Sequence, residues 1–430
     1  MRLGIYGPGV LLICKKYPNN EISWPQVLVQ VWSRNKHPRT FIVAKGRVKD
    51  KQMETPNASP LQRFHRLVQQ NRSLGIDHRR RLFAIYLKML PAGLMSSAEN
   101  WRYRHRLQRF SLTKAPLYLL GHWRSGTTFL QFLLGQDNRL IYHSKFQTFF
   151  PKSFLLTEET VKPIAKTFLH AFSAVGAWRD GISLDMGLDT PSEIEVSLMN
   201  EGSPVSFHWG HIFPKSWKYY FDRYLFQDNI SPREFQLWKQ SVRRLNRKVQ
   251  LKNPRRRVMV KNPGDTARVS SILQIYPHAQ FVFIHRNPYD VYYSNRKLWE
   301  NILHHLALQD MPQHELPEAI RYIYRRLHLN YLAQRTQIPS GQLVEISHQQ
   351  LSTEPIETAK LIYDRLQLGD FTRVADRFQA YAKKRQGPYR PPQYAYRPEE
   401  VEAINRDWDF AFSAFGYPKK KLANGVNTPS

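Results

Sequence analysis

A short basic loop in the first half of the chain has the residue types and spacing to bind an anion. Gly121 and Gly126 are spaced as in a phosphate-binding loop, where glycines let backbone amides approach the anion and a helix dipole favours negative charge. The lysine that follows the second glycine in ATP-binding loops is absent, and Thr127 and Thr128 stand there instead. The cation lies inside the loop, at Arg124. The pattern therefore predicts a site for a phosphate-like group and argues against Mg-ATP.

A second arginine follows an apolar run farther along the chain. Asn287 fits a helix N-cap and Pro288 the first helical position, so Arg286 would project from a strand end toward a phosphate. Ser294 would lie roughly 9 Å along that helix from the proline, at about 1.5 Å per residue. The alternative is structural: Arg286 pairs with Asp290, and Ser294 is an ordinary helix surface residue.

The end of this strand also bears on metal chemistry. A metal-dependent phosphoryl transferase needs a carboxylate for magnesium near its phosphate loop. His285 and Arg286 occupy the strand end, with no aspartate. This disfavours a kinase-like P-loop phosphotransferase, which stays open as an alternative, together with a non-enzymatic protein that binds membrane surfaces.

Both motifs resemble those of one enzyme family. Trp123-Arg-Ser-Gly-Thr-Thr128, preceded by His122, is similar to the 5′-phosphosulfate loop of sulfotransferases, and most similar to bacterial members that act on carbohydrates and lipids. Arg286 and Ser294 match the family's 3′-phosphate motif. The resemblance implies 3′-phosphoadenosine 5′-phosphosulfate (PAPS) as donor, a hydroxylated acceptor and no metal. The donor-binding residues that it implies are Arg124, Ser125, Gly126, Thr127, Thr128, Arg286 and Ser294.

Sulfuryl transfer requires oriented reactants, positive charge near the moving oxygens and a base for the acceptor hydroxyl. Arg124 and Lys261 are the candidates for the charge. Cytosolic members of the family have Lys-Thr-His where this chain has Lys261 followed by asparagine and proline, so their histidine base is absent. Related bacterial chains have a Pro-x-Glu-x-Glu pattern, which makes Glu193 the first candidate base and Glu195 the second. Alternatively, Thr190 and Glu193 form a helix capping box.

Composition limits the partners. The 430 residues include 64 Lys and Arg against 34 Asp and Glu, a formal net charge of +30. This excess predicts acidic ligands, and an anionic membrane surface is a partner besides PAPS. The sequence contains no nucleic-acid-binding signature. Its one cysteine, Cys14, excludes a disulfide framework, and no apolar stretch reaches the ~20 residues of a membrane-spanning helix. We expect a cytoplasmic protein, peripheral at the membrane if it binds there.

Short apolar runs alternate with helical segments from Pro116 onward, which predicts an α/β fold with a P-loop-like parallel sheet flanked by helices. Ligands bind at the carboxyl ends of such strands, where both motifs fall. The predicted strands are Leu117–Leu120, Arg257–Val260, Phe281–Ile284 and Leu343–Ile346. An aromatic-rich stretch, Phe207–Phe221, is either an acceptor pocket or core.

The chain divides into four predicted parts. Residues 1–55 are predicted to form a basic extension, either an independent flap or a flexible segment, with a hairpin of Val27–Trp32 and Thr40–Ala44. Residues 56–114 form a helical segment, in which an apolar helix stops at Pro91 and is flanked by arginines; it packs on the main domain or lies on a membrane. Residues 115–417 form the sulfotransferase domain, and residues 418–430 a frayed tail.

Overall fold

The computed structural model describes residues 10–12, 29–31, 59–164, 167, 187–385 and 394–420. The chain forms two compact units, residues 1–50 and 51–430. In the first unit, strands Val10–Leu12 and Val29–Val31 pair antiparallel. The predicted strand Val27–Trp32 therefore pairs through Val29–Val31 with Val10–Leu12. Its predicted hairpin partner, Thr40–Ala44, lies outside the described residues. The division into four predicted parts remains a prediction.

A parallel sheet forms the centre of the second unit. Its strands are β1 Leu117–Leu120, β2 Leu140–Tyr142, β3 Arg257–Lys261, β4 Gln280–His285 and β5 Leu343–Ser347, in the order β2-β3-β1-β4-β5. The register sets Leu119 of β1 beside Lys261 of β3, and Leu120 beside Phe283 of β4. The carboxyl ends of these three strands therefore meet at one edge, as the sequence predicts. Only β2, three residues long, was not predicted.

Helices flank the sheet. In the first half of the unit they are α1 Pro60–Asn71, α2 Arg79–Arg109, α3 Thr127–Leu134, α4 Lys145–Phe149, α5 Phe154–Thr157, α6 Ile194–Asn200, α7 Trp209–Ile212 and α8 Trp217–Tyr220. In the second half they are α9 Pro232–Lys252, α10 Val269–Ile275, α11 Pro288–Leu306, α12 Glu315–Gln334, α13 His348–Thr353, α14 Pro355–Leu366, α15 Thr372–Arg385, α16 Pro398–Asp407 and α17 Asp409–Phe415. A 3₁₀ turn, Pro263–Ala267, follows β3.

Alternate residues of each strand enter separate hydrophobic clusters on the two faces of the sheet. In β1, Tyr118 and Leu120 pack in the larger cluster, while Leu117 and Leu119 pack in the other. All four are at most 1% exposed. A strand buried on both faces reads as a continuous apolar run, which is why composition alone was enough to locate β1.

Two sequence expectations about helix and chain ends are wrong. Helix α2 continues through Pro91 to Arg109 rather than stopping there. Proline removes one backbone hydrogen bond, at a cost of about 3 kcal/mol, and packing of the segments before and after it offsets this cost. At the other end, the Lys420 amide donates to the Tyr289 hydroxyl (2.8 Å), so residues 418–420 are not frayed. Residues 421–430 lie outside the described chain.

Candidate active site

The loop between β1 and α3 has an unusual backbone. Gly121 has φ +142°, and a Cβ at this position would lie 2.5 Å from the carbonyl oxygen of Ile284 in β4. Gly126 caps α3 at φ +100°, and Arg124 between them adopts φ +70°. A non-glycine residue in this left-handed region costs about 1–2 kcal/mol, and such strain clusters at functional sites. The backbone thus turns sharply enough to present the amino end of α3 at the sheet edge.

Neighbouring side chains hold the loop in place. The Gly121 amide donates to Thr266 Oγ1 (2.7 Å), which in turn donates to the Gly121 carbonyl (3.3 Å). Asn295 Nδ2, on α11, donates to the Trp123 carbonyl (2.9 Å). Sequence reasoning missed both Thr266 and Asn295. Asn295 lies next to Ser294, so the helix carrying the second motif also braces the first.

The structure brings the two arginine motifs together. Arg124 Nε donates to Ser294 Oγ (2.7 Å), and Arg286 Nη1 donates to the Arg124 carbonyl (3.1 Å). The Arg286 side chain is 11% exposed and also lies 3.3 Å from an Asp290 carboxylate oxygen. The predicted structural pairing of Arg286 and its proximity to the glycine loop therefore both occur. An anion at this edge would meet two guanidinium groups, with Asp290 as the opposing charge.

The first turn of α3 offers groups suited to an anion. The first backbone amides of a helix have no acceptor within that helix. Thr128 and Arg124 are exposed, whereas Ser125 and Thr127 are buried. Among the described residues, Ser125 Oγ is buried without a hydrogen-bond partner. A buried hydroxyl costs free energy unless something pairs with it, so this atom favours a ligand at the loop.

Lys261 and Glu193 form an ion pair at the same sheet edge. Lys261 ends β3, and its Nζ lies 2.7 Å from Glu193 Oε1; the two side chains are 7% and 19% exposed. Glu193 is the N-cap of α6, without a side-chain capping bond. The predicted capping box is wrong, because Thr190 Oγ1 instead donates to the Gly187 carbonyl (2.7 Å) and α6 begins one residue after Glu193.

Glu195, the second candidate base, lies in the interior. Its side chain is fully buried and pairs with Arg268 at 3.0 Å, and it accepts a bond from the Phe207 amide. Arg268 also lies 3.5 Å from Asp265, whose pKa burial raises to about 7 against the opposing effect of Arg268. Asp265 immediately precedes Thr266, so this buried charge cluster supports the residue that braces Gly121. Glu195 therefore has a structural position.

The histidines and aromatics near the site are largely interior. His143 bonds to Asn246 (2.8 Å), and burial lowers its pKa to about 4. His208 and His211 contact each other through Nδ1 atoms (3.0 Å), and burial lowers the pKa of both. Of the two alternatives for the aromatic-rich stretch Phe207–Phe221, acceptor pocket or core, the burial of its large side chains favours the core. Those at most 5% exposed are Phe207, Trp209, Phe213, Trp217, Tyr220 and Phe221.

Within the described ranges, no group of three or more His, Cys, Asp or Glu residues could hold a metal ion. No helix in the part of the chain that the structure describes is long and apolar enough to cross a membrane.

Comparison with known proteins identifies the class. The model of the Sulfotransferase family matches residues 116–373, which include both motifs and Lys261 and Glu193. The chain belongs to the sulfotransferase family, as its motifs predict, and is an enzyme of that family.

Particular relatives are mycobacterial. The chain is 26% identical over 357 residues to omega-hydroxy-beta-dihydromenaquinone-9 sulfotransferase Stf3 of Mycobacterium tuberculosis and of Mycobacterium bovis, covering 82% of this chain and 89% of each relative. Its fold is similar to sulfotransferase STF9 from Mycobacterium avium (TM-score 0.65, 17% identity, 86% of this chain and 100% of that one). It is also similar to sulfotransferase STF1 from M. tuberculosis (TM-score 0.58, 19% identity, 81% and 90%).

Proposed function

We propose that this enzyme transfers a sulfuryl group from PAPS to a hydroxyl group of a lipid by in-line displacement. The observation that carries the proposal is the contact of Arg124 with both Ser294 and Arg286, which joins two anion-binding motifs beside the Lys261–Glu193 pair. A donor with phosphates at both ends of an adenosine matches two such motifs on one sheet edge. Carbohydrates and small metabolites remain the other acceptor classes.

The loop between β1 and α3 and the start of α11 would bind opposite ends of the donor. The loop residues Ser125 to Thr128 supply backbone amides and hydroxyls to the 5′-phosphosulfate, and Arg124 supplies charge. Arg286 and Ser294 bind the 3′-phosphate, so Arg286 exchanges part of its pairing with Asp290 for the ligand. Arginine suits this role because its planar fork binds two phosphate oxygens at once.

Glu193 and Lys261 would carry the chemistry. The Glu193 carboxylate accepts the proton of the acceptor hydroxyl as its oxygen bonds to sulfur, while the bond from sulfur to the phosphate oxygen breaks. Lys261 and Arg124 stabilise the charge that moves onto the departing phosphate. In the free enzyme Lys261 holds the carboxylate at 2.7 Å, which orients the base before substrates bind.

A lipid acceptor is supported by two observations. The relative Stf3 is named for a hydroxylated menaquinone. Exposed aromatic side chains also lie near the candidate base. Thr148 Oγ1 donates to Ser192 Oγ (3.0 Å), and Ser192 immediately precedes Glu193. Phe149 and Phe150 follow Thr148 and are 52% and 43% exposed. Exposed aromatic side chains at this position suit an acceptor with an apolar chain better than a carbohydrate acceptor.

The donor assignment can be tested by retention on immobilised 3′,5′-ADP and by calorimetric titration with PAP. The parent protein should bind, and Arg286→Ala should weaken binding at least tenfold, since charged hydrogen bonds contribute about 1.5–3 kcal/mol. Arg296→Ala is the matched control: Arg296 lies on α11, the helix that follows Arg286, and pairs with Glu300 and Glu400. Failure of the parent protein to bind the resin, or equal PAP affinity of Arg286→Ala and Arg296→Ala, would refute the donor site.

The acceptor class can be tested with PAPS carrying ³⁵S-labelled sulfate. Transfer of label into the organic phase of a lipid extract is expected, and none into a glycan fraction. Phe149→Ser should raise KM for the lipid acceptor while leaving PAP affinity unchanged. Label appearing only in the glycan fraction would replace the lipid with a carbohydrate and leave the donor assignment intact.

A further inference from the structure

Helix α2 exposes large apolar side chains along one face. Phe83, Leu87 and Trp101 are 69%, 59% and 84% exposed. At 3.6 residues per turn, Leu87 follows Phe83 by one turn and Trp101 follows it by five full turns, so the three side chains share a stripe about 27 Å long. Large apolar side chains in one exposed row are uncommon on a soluble surface and mark an interaction site.

The opposite face of α2 is already occupied. Leu82, Ile85 and Tyr86 pack against the main hydrophobic cluster. In the second half of the helix, Glu99 is buried and pairs with the buried Lys248. Because both halves are anchored from the inside, the helix cannot rotate to bury the stripe. The exposed row is therefore a second, outward apolar face.

The surroundings of the stripe are strongly basic. Residues 79–109 contain eight lysines and arginines and one acidic residue, the buried Glu99. Exposed arginines stand at both ends of the stripe: Arg79 and Arg80 at one end, Arg102 and Arg104 at the other. Among the described residues of α2 the apolar row is flanked by cations, and the helix has no exposed carboxylate of its own. Such a face is complementary to a surface that is anionic outside and apolar beneath.

A cavity at the carboxyl end of α2 has the same character. Its volume is about 450 Å³. The lining residues are His105, Arg106, Arg109, Phe110, Leu251 and Pro254. A lining of two arginines and a histidine together with three apolar side chains suits a phosphate group joined to hydrocarbon.

We propose that α2 lies along an anionic lipid bilayer, with Phe83, Leu87 and Trp101 inserted at the interface. The arginines at both ends bind lipid phosphates, and the cavity beside Arg109 holds one headgroup. A bilayer is the occupant because it meets apolar and cationic groups at both ends of the stripe. This surface goes beyond the proposed sulfuryl transfer and depends on neither the donor nor the acceptor.

The test uses the full-length protein with two kinds of vesicle, phosphatidylcholine alone and the same lipid with 30% phosphatidylglycerol. We expect co-sedimentation with the anionic vesicles at low salt, and weaker binding at higher ionic strength. Phe83→Ser combined with Trp101→Ser should lower partitioning at least tenfold. Arg102→Gln combined with Arg104→Gln should lower it about fivefold per charge.

Matched controls lie on the far helices. Leu361→Ser removes an exposed leucine of α14 (39% exposed), and Lys383→Gln with Lys384→Gln removes two exposed charges of α15. Both controls should bind vesicles like the parent protein. Quenching of tryptophan fluorescence by brominated acyl chains should decrease in Trp101→Phe. Circular dichroism and retention on 3′,5′-ADP check that each variant is folded.

Four outcomes would overturn the proposal, and the first three concern vesicles. The parent protein fails to bind anionic vesicles at low salt, the α2 variants bind as tightly as the controls, or bromolipid quenching is unchanged in Trp101→Phe. A parent protein that is dimeric in solution and becomes monomeric in Trp101→Ser would assign the stripe to a second copy instead. A parent protein that does not bind 3′,5′-ADP but binds anionic vesicles would refute the donor site without affecting the proposed membrane contact.

Discussion

Replacing Glu193 by glutamine separates the catalytic interpretation of this residue from a structural one. Glutamine keeps the size of the side chain and an oxygen that can accept from Lys261 Nζ, now 2.7 Å away. It removes the negative charge and nearly all basicity. Glu193 makes no side-chain capping bond to α6, so the start of that helix loses nothing.

The two interpretations differ widely in magnitude. Loss of a general base lowers turnover by about 10²–10⁴, equivalent to roughly 3–5 kcal/mol in the barrier. Weakening one charged hydrogen bond between half-buried and buried groups costs about 1–2 kcal/mol of folding free energy. Since domains are stable by about 5–15 kcal/mol, the variant stays folded. Turnover should therefore fall far more than the folded fraction.

The assay is initial-rate transfer of labelled sulfate at saturating PAPS, with PAP affinity measured in parallel. Glu193→Gln should retain PAP affinity within about threefold while its turnover falls at least a hundredfold. Formate should partly restore activity to Glu193→Ala by supplying a carboxylate. Glu300→Gln, which removes an exposed partner of Arg296, is the control. Turnover of Glu193→Gln within a few-fold of the parent enzyme would rule out this carboxylate as the base.

Three further predictions follow from the site and its support. Arg124→Gly relieves the φ of +70° but also loses the hydrogen bond to Ser294, and because these two effects oppose each other the free energy of unfolding in urea should change by less than about 1 kcal/mol. PAP affinity should fall at least tenfold because the guanidinium charge is lost; a variant that keeps PAP affinity would contradict the role of the side chain. Gly121→Ala should destabilise by about 1–3 kcal/mol more than Gly341→Ala, since only the first would meet backbone within 3 Å; equal unfolding midpoints would count against the close packing. Because burial lowers the pKa of His143 from 6.5 to about 4, its contribution to stability is present above pH 6.5 and is lost as the pH falls toward 4. Protonation of His143 should lower the free energy of unfolding by about 2 kcal/mol at pH 5 relative to neutral pH. His143→Gln should remove that part of the pH dependence, whereas substitution of the exposed His314 by glutamine should not.

The fold could be predicted because its central strands are buried on both faces. Continuous apolar runs such as Phe281–Ile284 admit few other interpretations, and a proline just beyond them marks the next helix. Elements held by tertiary contacts were missed or misjudged. Strand β2 has three residues and no pattern of its own, and α2 passes Pro91 because packing before and after the proline outweighs the local cost.

The site was predictable where a residue acts through local backbone geometry, and less so where it acts through contacts distant in sequence. The glycines and Arg124 follow from the turn itself. Thr266 and Asn295, which brace that turn from other elements, have no signature in their own segments. The pairing of Glu193 with Lys261 joins residues 68 positions apart. No local pattern specifies such a pair, and a capping box was the simpler local interpretation.

The spacing of Glu193 and Glu195 explains how neighbouring carboxylates come to have different environments. Glu193 lies just before α6 and Glu195 in its first turn, so the change of backbone geometry directs one toward Lys261 and the other into the interior. There Glu195 neutralises Arg268, which also contacts Asp265 in the 3₁₀ turn beneath the loop. Unpaired, a fully buried guanidinium would be strongly destabilising. The inner carboxylate thus fixes the turn that holds Gly121, while the outer one stays near the surface, where an acceptor hydroxyl can reach it.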